Sequence, residues 1–279
     1  MRIRLLAALA LALLAAAPAA SGDGGPAPGA TTGWDGVLAA GGNLRYVAFN
    51  APNWTTVAAV EVEGGRVIEY RSLRGSYGVP LVAYDGTTGG VSADGSTLVL
   101  ASFTGPVAPG QVSRFAVLRA DKHFRTRKIV TLRGTFSFDA ISPSGRILYF
   151  IEYLQSGTTV TYRVRAYDVA RGKLVPGSIV DRREPDERMQ GAPVTRATSG
   201  DGVWAYTLYA RPAGKPFVHA LDTRRARAFC IDLPWRASQQ ALQNVKMTAG
   251  GGRLVIHDGA GRLASVDTRS WKVTSYRRP

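Results

Sequence analysis

Asp35, Asp85, Asp139 and Glu152 are the acids of this chain that fall near one end of its repeated unit. Hydrolysis of a glycosidic bond needs two carboxyls held roughly 5–10 Å apart, one with a raised pKa. Two cations, Arg196 and Lys246, recur at the same end. Aligned on turn glycines, Gly36, Gly89, Asp139, Arg196 and Lys246 occupy one equivalent position early in each unit. One carboxylate and two cations so placed can neutralise each other as a structural plug, or they can receive an anionic or sugar-like ligand. Cations beside Asp139 would lower its pKa, which suits a general acid badly.

Those positions are defined by a repeat. Five times an apolar stretch runs into a small-residue turn and a second apolar stretch: VLAAGGNLRYVAF, GVSADGSTLVLAS, DAISPSGRILYFI, RATSGDGVWAYTL and VKMTAGGGRLVIH. Their turn glycines, Gly42, Gly95, Gly145, Gly202 and Gly252, lie 53, 50, 57 and 50 residues apart. A third stretch follows each pair (TTVAAVEV, SRFAVLRAD, YRVRAYDV, FVHALDT, RLASVDT), then a fourth (RVIEYRSL, KIVTLRG, KLVPGSIVD, RAFCIDL, KVTSYR). Valine, isoleucine, tyrosine and phenylalanine cut by Gly, Asp and Ser turns predict strands. Four strands every 50 residues or so is the pattern of a propeller blade. The fold class is therefore all-β, a β-propeller of five four-stranded blades closed by its first and last blades. Six or seven shorter blades, or an incomplete ring that closes by dimerisation, are the alternatives.

SPSGRILYF followed by RAYDVARGKLV resembles the S-P-D-G-x-x-L-Y-V and V-x-V-I-D-x-x-T-x-x-V pieces of the YVTN and TolB-like (WD40-like) bacterial propellers. The resemblance covers nearly all of the chain after its N-terminus, at the level of strand and turn chemistry. The full YVTN tetrad is absent. The chain is also similar to secreted actinobacterial propellers, which implies a compartment and no activity. Five-bladed propellers include glycoside hydrolases with paired carboxylates at the channel mouth, so that enzyme class stays open through Asp35, Asp85, Asp139 and Glu152.

The N-terminus predicts export. Arg2 and Arg4 precede an Ala/Leu run from Leu5 to Ala17, followed by Ala17-Pro18-Ala19, a cleavage pattern with small residues. That run falls short of the ~20 residues a bilayer span needs. Residues 1–19 are read as a signal peptide, 20–33 as a flexible Gly/Pro/Ala-rich linker and 34–279 as a single propeller domain. The protein is thus expected to be extracellular or associated with the cell envelope, with no membrane span after cleavage. A single cysteine, Cys230, excludes an intramolecular disulfide. Cys230 lies in a strand-like stretch and reads as a small buried hydrophobe.

In a propeller the loops entering the first strand of each blade share one rim with those joining its second and third strands. The longest such connections are 75–90, with Tyr84 and Asp85; 181–193, containing DRREPDER; and 234–244, with Trp235. Long loops on a rigid scaffold carry binding residues. The candidate ligand site is accordingly Asp139, Arg196, Lys246, Tyr84, Asp85 and Trp235. Tyrosine and tryptophan also fill gaps between blades, and DRREPDER reads as a charge-paired solvated loop. The opposite rim is basic, with Arg66, Lys122, Arg125, Arg127, Arg171, Lys173, Arg224, Arg225, Arg227, Arg269 and Lys272 in its turns. A formal charge of +15 favours anionic surfaces.

Several chemistries are set aside. His123, His219 and His257 fall in three different units without metal-like spacing, so no metal site is expected. Neither a G-x-S-x-G elbow nor a phosphate-binding or dinucleotide motif is present, and no cofactor is expected. Export and the lack of nucleic-acid motifs exclude nucleic acid as partner. The function expected is binding or scaffolding without catalysis, toward a protein or an anionic or carbohydrate envelope ligand. A carbohydrate-active enzyme is the alternative.

Overall fold

The computed structural model describes residues 29–279 except 104–106, 109, 157–158, 186–188 and 213. The expected signal peptide, most of the linker and part of DRREPDER lie outside the described residues. The chain forms five antiparallel sheets in sequence order, the all-β propeller architecture expected. The first sheet joins β2 (Gly33–Leu38), β3 (Leu44–Ala51), β4 (Trp54–Glu61) and β5 (Val67–Arg74). A two-residue strand, β1 (Ala30–Thr31), precedes it but belongs to the second sheet, which runs β1, β6 (Tyr77–Pro80), β7 (Thr97–Ser102), β8 (Val112–Arg119) and β9 (Arg125–Arg133). The third comprises β10 (Thr135–Ile141), β11 (Ile147–Ser156), β12 (Thr159–Asp168) and β13 (Lys173–Leu174). The fourth comprises β14 (Ala192–Thr198), β15 (Trp204–Ala210), β16 (Phe217–Asp222) and β17 (Arg227–Asp232). A one-turn helix, α1 (Gln239–Leu242), leads to β18 (Lys246–Gly250), β19 (Arg253–Asp258), β20 (Gly261–Asp267) and β21 (Val273–Ser275).

The turn glycines that define the repeat all adopt one conformation. Gly42, Gly95, Gly145, Gly202 and Gly252 have φ between 65° and 74°, a region that a β-carbon disfavours. In three of the five turns a serine works with the glycine: Ser92, Ser142 and Ser199 accept the N–H of Thr97, Ile147 and Trp204 and so close the turns of Gly95, Gly145 and Gly202.

Two expectations change. Residues 29–33 were assigned to the linker, yet Ala30 and Thr31 pair with Pro80 and Val79. Gly78 makes room for this added strand, since a β-carbon there would lie 2.6 Å from the Thr31 carbonyl oxygen. The first strand of the second blade was expected near Gly89. It is Tyr77–Pro80 instead, and only the bridge from Val91 to Leu98 survives at the expected place. The intervening residues 81–90 are thereby released as a loop over the channel.

Alternating strand residues bury one hydrophobic cluster between each consecutive pair of sheets. Tyr46, Val57 and Leu73 meet Val79, Leu98 and Phe124 between the first and second. Phe115 and Val130 meet Phe136 and Phe150 between the second and third. Tyr149, Tyr162 and Val164 meet Tyr209 and Phe217 between the third and fourth, and Tyr206 and Leu208 meet Leu254 and Val266 between the fourth and fifth. The ring was expected to close between its first and last blades. Among the described residues no hydrophobic cluster, hydrogen bond, ion pair or ring contact joins the fifth sheet to the first.

Candidate functional site

The loop 81–90 reaches across the channel mouth to the fourth sheet. The N–H groups of Tyr84 and Asp85 donate to the carbonyls of Pro193 and Val194, at 2.9 and 3.2 Å. Asp85 then organises its own turn, accepting the Thr87 N–H at 3.0 Å and its hydroxyl at 2.6 Å. Its second oxygen accepts the Thr195 hydroxyl at 2.7 Å and Lys246 Nζ at 2.8 Å. One carboxylate thus ties together the second, fourth and fifth sheets. Burial pushes the Asp85 carboxyl up, but the bonds from Lys246, Thr87 and Thr195 outweigh it and hold the pKa below the ordinary value.

Asp139 sits where the pairing of β10 with β11 skips a residue, between Phe138 and Ala140. A β-bulge re-aims the extra side chain, and here it meets Arg196 of β14. Arg196 Nη1 donates to the Asp139 carbonyl at 2.9 Å and Nη2 donates to its carboxylate. Both side chains are buried. Arg196 Nε has no partner among the described residues.

The other expected residues separate. Glu152 lies in β11, where its carboxylate accepts Arg163 Nε and Arg165 Nη1 from β12, each at 2.7 Å. Burial raises its pKa, and the two arginines more than reverse that. The backbone carbonyl of Asp35 accepts Arg45 Nη1 at 2.6 Å, and the residue borders an open recess of about 740 Å³ shared with Leu38, Leu81 and Thr88. Trp235, expected on the rim, is 4% exposed and belongs to the cluster between the fourth and fifth sheets, so its faces are not open to a ligand. The Tyr84 phenol is pushed up to about 12 by burial. Beneath the loop remains a channel cavity of about 290 Å³, bordered by Ser92, Phe138, Asp139, Arg196, Ser199 and Thr223. At its far end Gly202 meets Ala93 across the channel, where a β-carbon would lie 2.6 Å from the alanine methyl.

Sequence reasoning missed Thr87, Thr195 and the loop crossing. The Asp-Gly-Thr-Thr run at 85–88 carried a signal for the local turn, since an Asp accepting from the residue two ahead is a common turn device, but none for its docking on β14. It also missed a polar pair inside the third-to-fourth cluster. His219 and Cys230 lie opposite each other on β16 and β17, with Sγ 3.8 Å from Nδ1. His219 Nε2 has no partner among the described residues, and burial drives the imidazole pKa down to about 4. Among the described residues no group of three His, Cys, Asp or Glu could hold a metal ion.

No protein-family model matches the chain. Among curated proteins, it is 28% identical over 141 residues to T-complex protein 1 subunit theta of Encephalitozoon cuniculi, covering 49% of this chain and 29% of that protein. Among solved structures, it is similar to TolB from Acinetobacter baumannii, at 12% identity and a TM-score of 0.45, covering 85% of this chain and 52% of that one. It is also similar to Kuenenia stuttgartiensis hydrazine synthase, at 14% identity and a TM-score of 0.49, covering 90% of this chain and 66% of that one. The chain spans less than a third of the curated relative and about half of the TolB chain.

Proposed function

We propose that this propeller is a non-enzymatic binding or scaffolding module of the cell envelope or extracellular space, which recognises a protein or anionic partner through its rims. The observation that carries this reading is the state of the carboxylates. Asp85 and Glu152 are held below their ordinary pKa by cations and hydroxyls, whereas a general acid needs a raised one. Asp139 is spent on Arg196. In this reading Asp85, Asp139, Arg196 and Lys246 brace the channel mouth, and Tyr84 contributes its backbone to the crossing. The basic turns are the contact surface. Export rests on the Arg2 to Ala19 pattern, and among the described residues no helix is long and apolar enough to cross a membrane.

A screen of polysaccharides and chromogenic glycosides tests the reading, with Asp139→Asn and Asp85→Asn as controls. No turnover is expected from the parent protein. Turnover abolished by either substitution would replace the scaffold with a carbohydrate-active enzyme. Cell fractionation is expected to recover a chain lacking Met1 outside the cytoplasm, and full-length cytoplasmic protein would remove the envelope assignment.

A further inference from the structure

Four of the five hydrophobic clusters span two sheets; the fifth belongs to the first sheet alone. Val47, Ala58 and Val60 lie on the face turned away from the second sheet, and Phe49 is the one partly buried apolar residue packed against them among the described residues. Large apolar side chains surround this centre. Trp34 is 64% exposed with its ring against Phe49, and Tyr70, opposite Ala58 in the ladder, is 71% exposed. Leu38 and Ile68 are 48% and 46% exposed. A sheet face of this composition is what the other blades bury against a neighbour.

The far face of the fifth sheet does not match it. Lys246, Thr248, Arg253 and Thr274 are exposed there, Val255 and His257 are half-buried, and the aromatic residue Tyr276, 48% exposed, shares its hydroxyl with Ser265. Docking those polar groups on Trp34 and Tyr70 would strip their water without offering partners. Charge points the same way. Residues 34–74 balance four acids (Asp35, Glu61, Glu63, Glu69) with four arginines (Arg45, Arg66, Arg71, Arg74), in a chain whose net charge is +15. The first blade carries no net charge in a strongly cationic chain, so two copies that meet there add no like charge at the contact itself.

We propose that the outward face of the first blade is a self-association surface, where two copies pack Trp34, Ile68 and Tyr70 sheet-on-sheet about a two-fold axis. An apolar face against its own copy makes a closed, isologous dimer. Three strands of eight residues and one of six, about 4.8 Å apart at about 3.3 Å per residue, give a footprint of about 480 Å² per copy. That lies at the small end of stable interfaces, so dissociation in the micromolar range is expected.

Sedimentation of the exported protein, its N-terminus fixed by intact mass, tests this over 1–100 μM. A reversible dimer is expected, and it should tighten between 0.05 and 0.5 M NaCl because salt screens the repulsion of the remaining surface. Trp34→Ser with Tyr70→Ser should weaken it at least tenfold while the thermal transition stays within a few degrees. Should that variant misfold, Tyr70→Cys provides a second reading: oxidation should trap a covalent dimer, and Thr248→Cys on the fifth sheet should not. A monomer at 100 μM, a dimer that dissolves in salt, open-ended polymers, or equal trapping by the two cysteines would each overturn the proposal.

Discussion

Arg196 of the fourth sheet holds Asp139 of the third by two groups at once, its carboxylate and its own backbone carbonyl. The second bond is available because the bulge at Asp139 turns that carbonyl out of the ladder with β11. The pair therefore locks a backbone irregularity as well as a charge.

Removing one member of this pair should be costly, because the survivor is a buried charge without a partner. Asp139→Ala or Arg196→Met is expected to lose about 3–5 kcal/mol in urea unfolding. Asp139→Ala combined with Arg196→Met should lose clearly less than the sum. Additive losses would show that the two side chains act independently.

His219 should give the protein a pH dependence of its own. Its folded pKa of about 4 lies below the ordinary 6.5, chiefly because burial disfavours the imidazolium; nearby Arg196 pushes the same way, and Asp139 and Asp181 oppose it. The unfolded chain then takes up the proton first as pH falls. Stability is full above pH 6.5 and is lost toward pH 4, by up to about 1.4 kcal/mol per unit. The carboxylates with lowered pKa begin to contribute only below about pH 5, so the upper part of the window belongs to the imidazole. His219→Gln should flatten the profile of chemical unfolding between pH 6.5 and 4.5, and an unchanged slope would assign it to other groups.

Ala226 should be improvable. It closes the turn between β16 and β17 with φ at 51°, where the equivalent turn between β12 and β13 uses Gly172. A non-glycine residue in this region costs roughly 1–2 kcal/mol, partly offset by the entropy glycine brings to the unfolded chain. Ala226→Gly is expected to raise the thermal midpoint by a few degrees in calorimetry, and a lower midpoint would contradict the account.

The basic rim should bind anionic surfaces by charge alone. Arg125 and Arg127 are exposed at the start of β9 in the second sheet, and Arg224 and Arg225 on the turn between β16 and β17 in the fourth. Some of this charge is internally balanced, since Arg225 and Arg227 pair with Asp222. Replacing those four arginines with serine should weaken adsorption to anionic vesicles at low salt and leave the thermal transition nearly unchanged. Adsorption that survives high salt and these substitutions would locate the contact elsewhere.

The repeat was legible because each turn repeats one local solution, a left-handed glycine after a serine or its small neighbour, and local solutions are written in consecutive residues. The acids of the third-to-fourth-strand turns were legible for the same reason: Asp168, Asp222 and Asp267 each accept backbone N–H groups two or three residues on. Asp121 departs from them and pairs with Arg119. The site was only partly legible. Alignment placed Asp139 and Arg196 at one level, and they do meet, but Gly89 was assigned to a strand that forms twelve residues earlier. What relocates it is the added strand β1 and the docking of Tyr84 and Asp85 on β14, pairings over long sequence separations that leave no local pattern. Trp235 misled because an aromatic residue in a long loop serves a ligand or a core equally well.

The two residues of β1 also decide how the protein meets a load. They come before the first blade in the chain and are stitched to the second, so a pull on the segment ahead of residue 29 reaches β6 before it reaches β2. If that segment ties the molecule to a surface, tension is delivered to a sheet flanked on both sides by packed neighbours, and the first blade hangs beyond the loaded line as a free end.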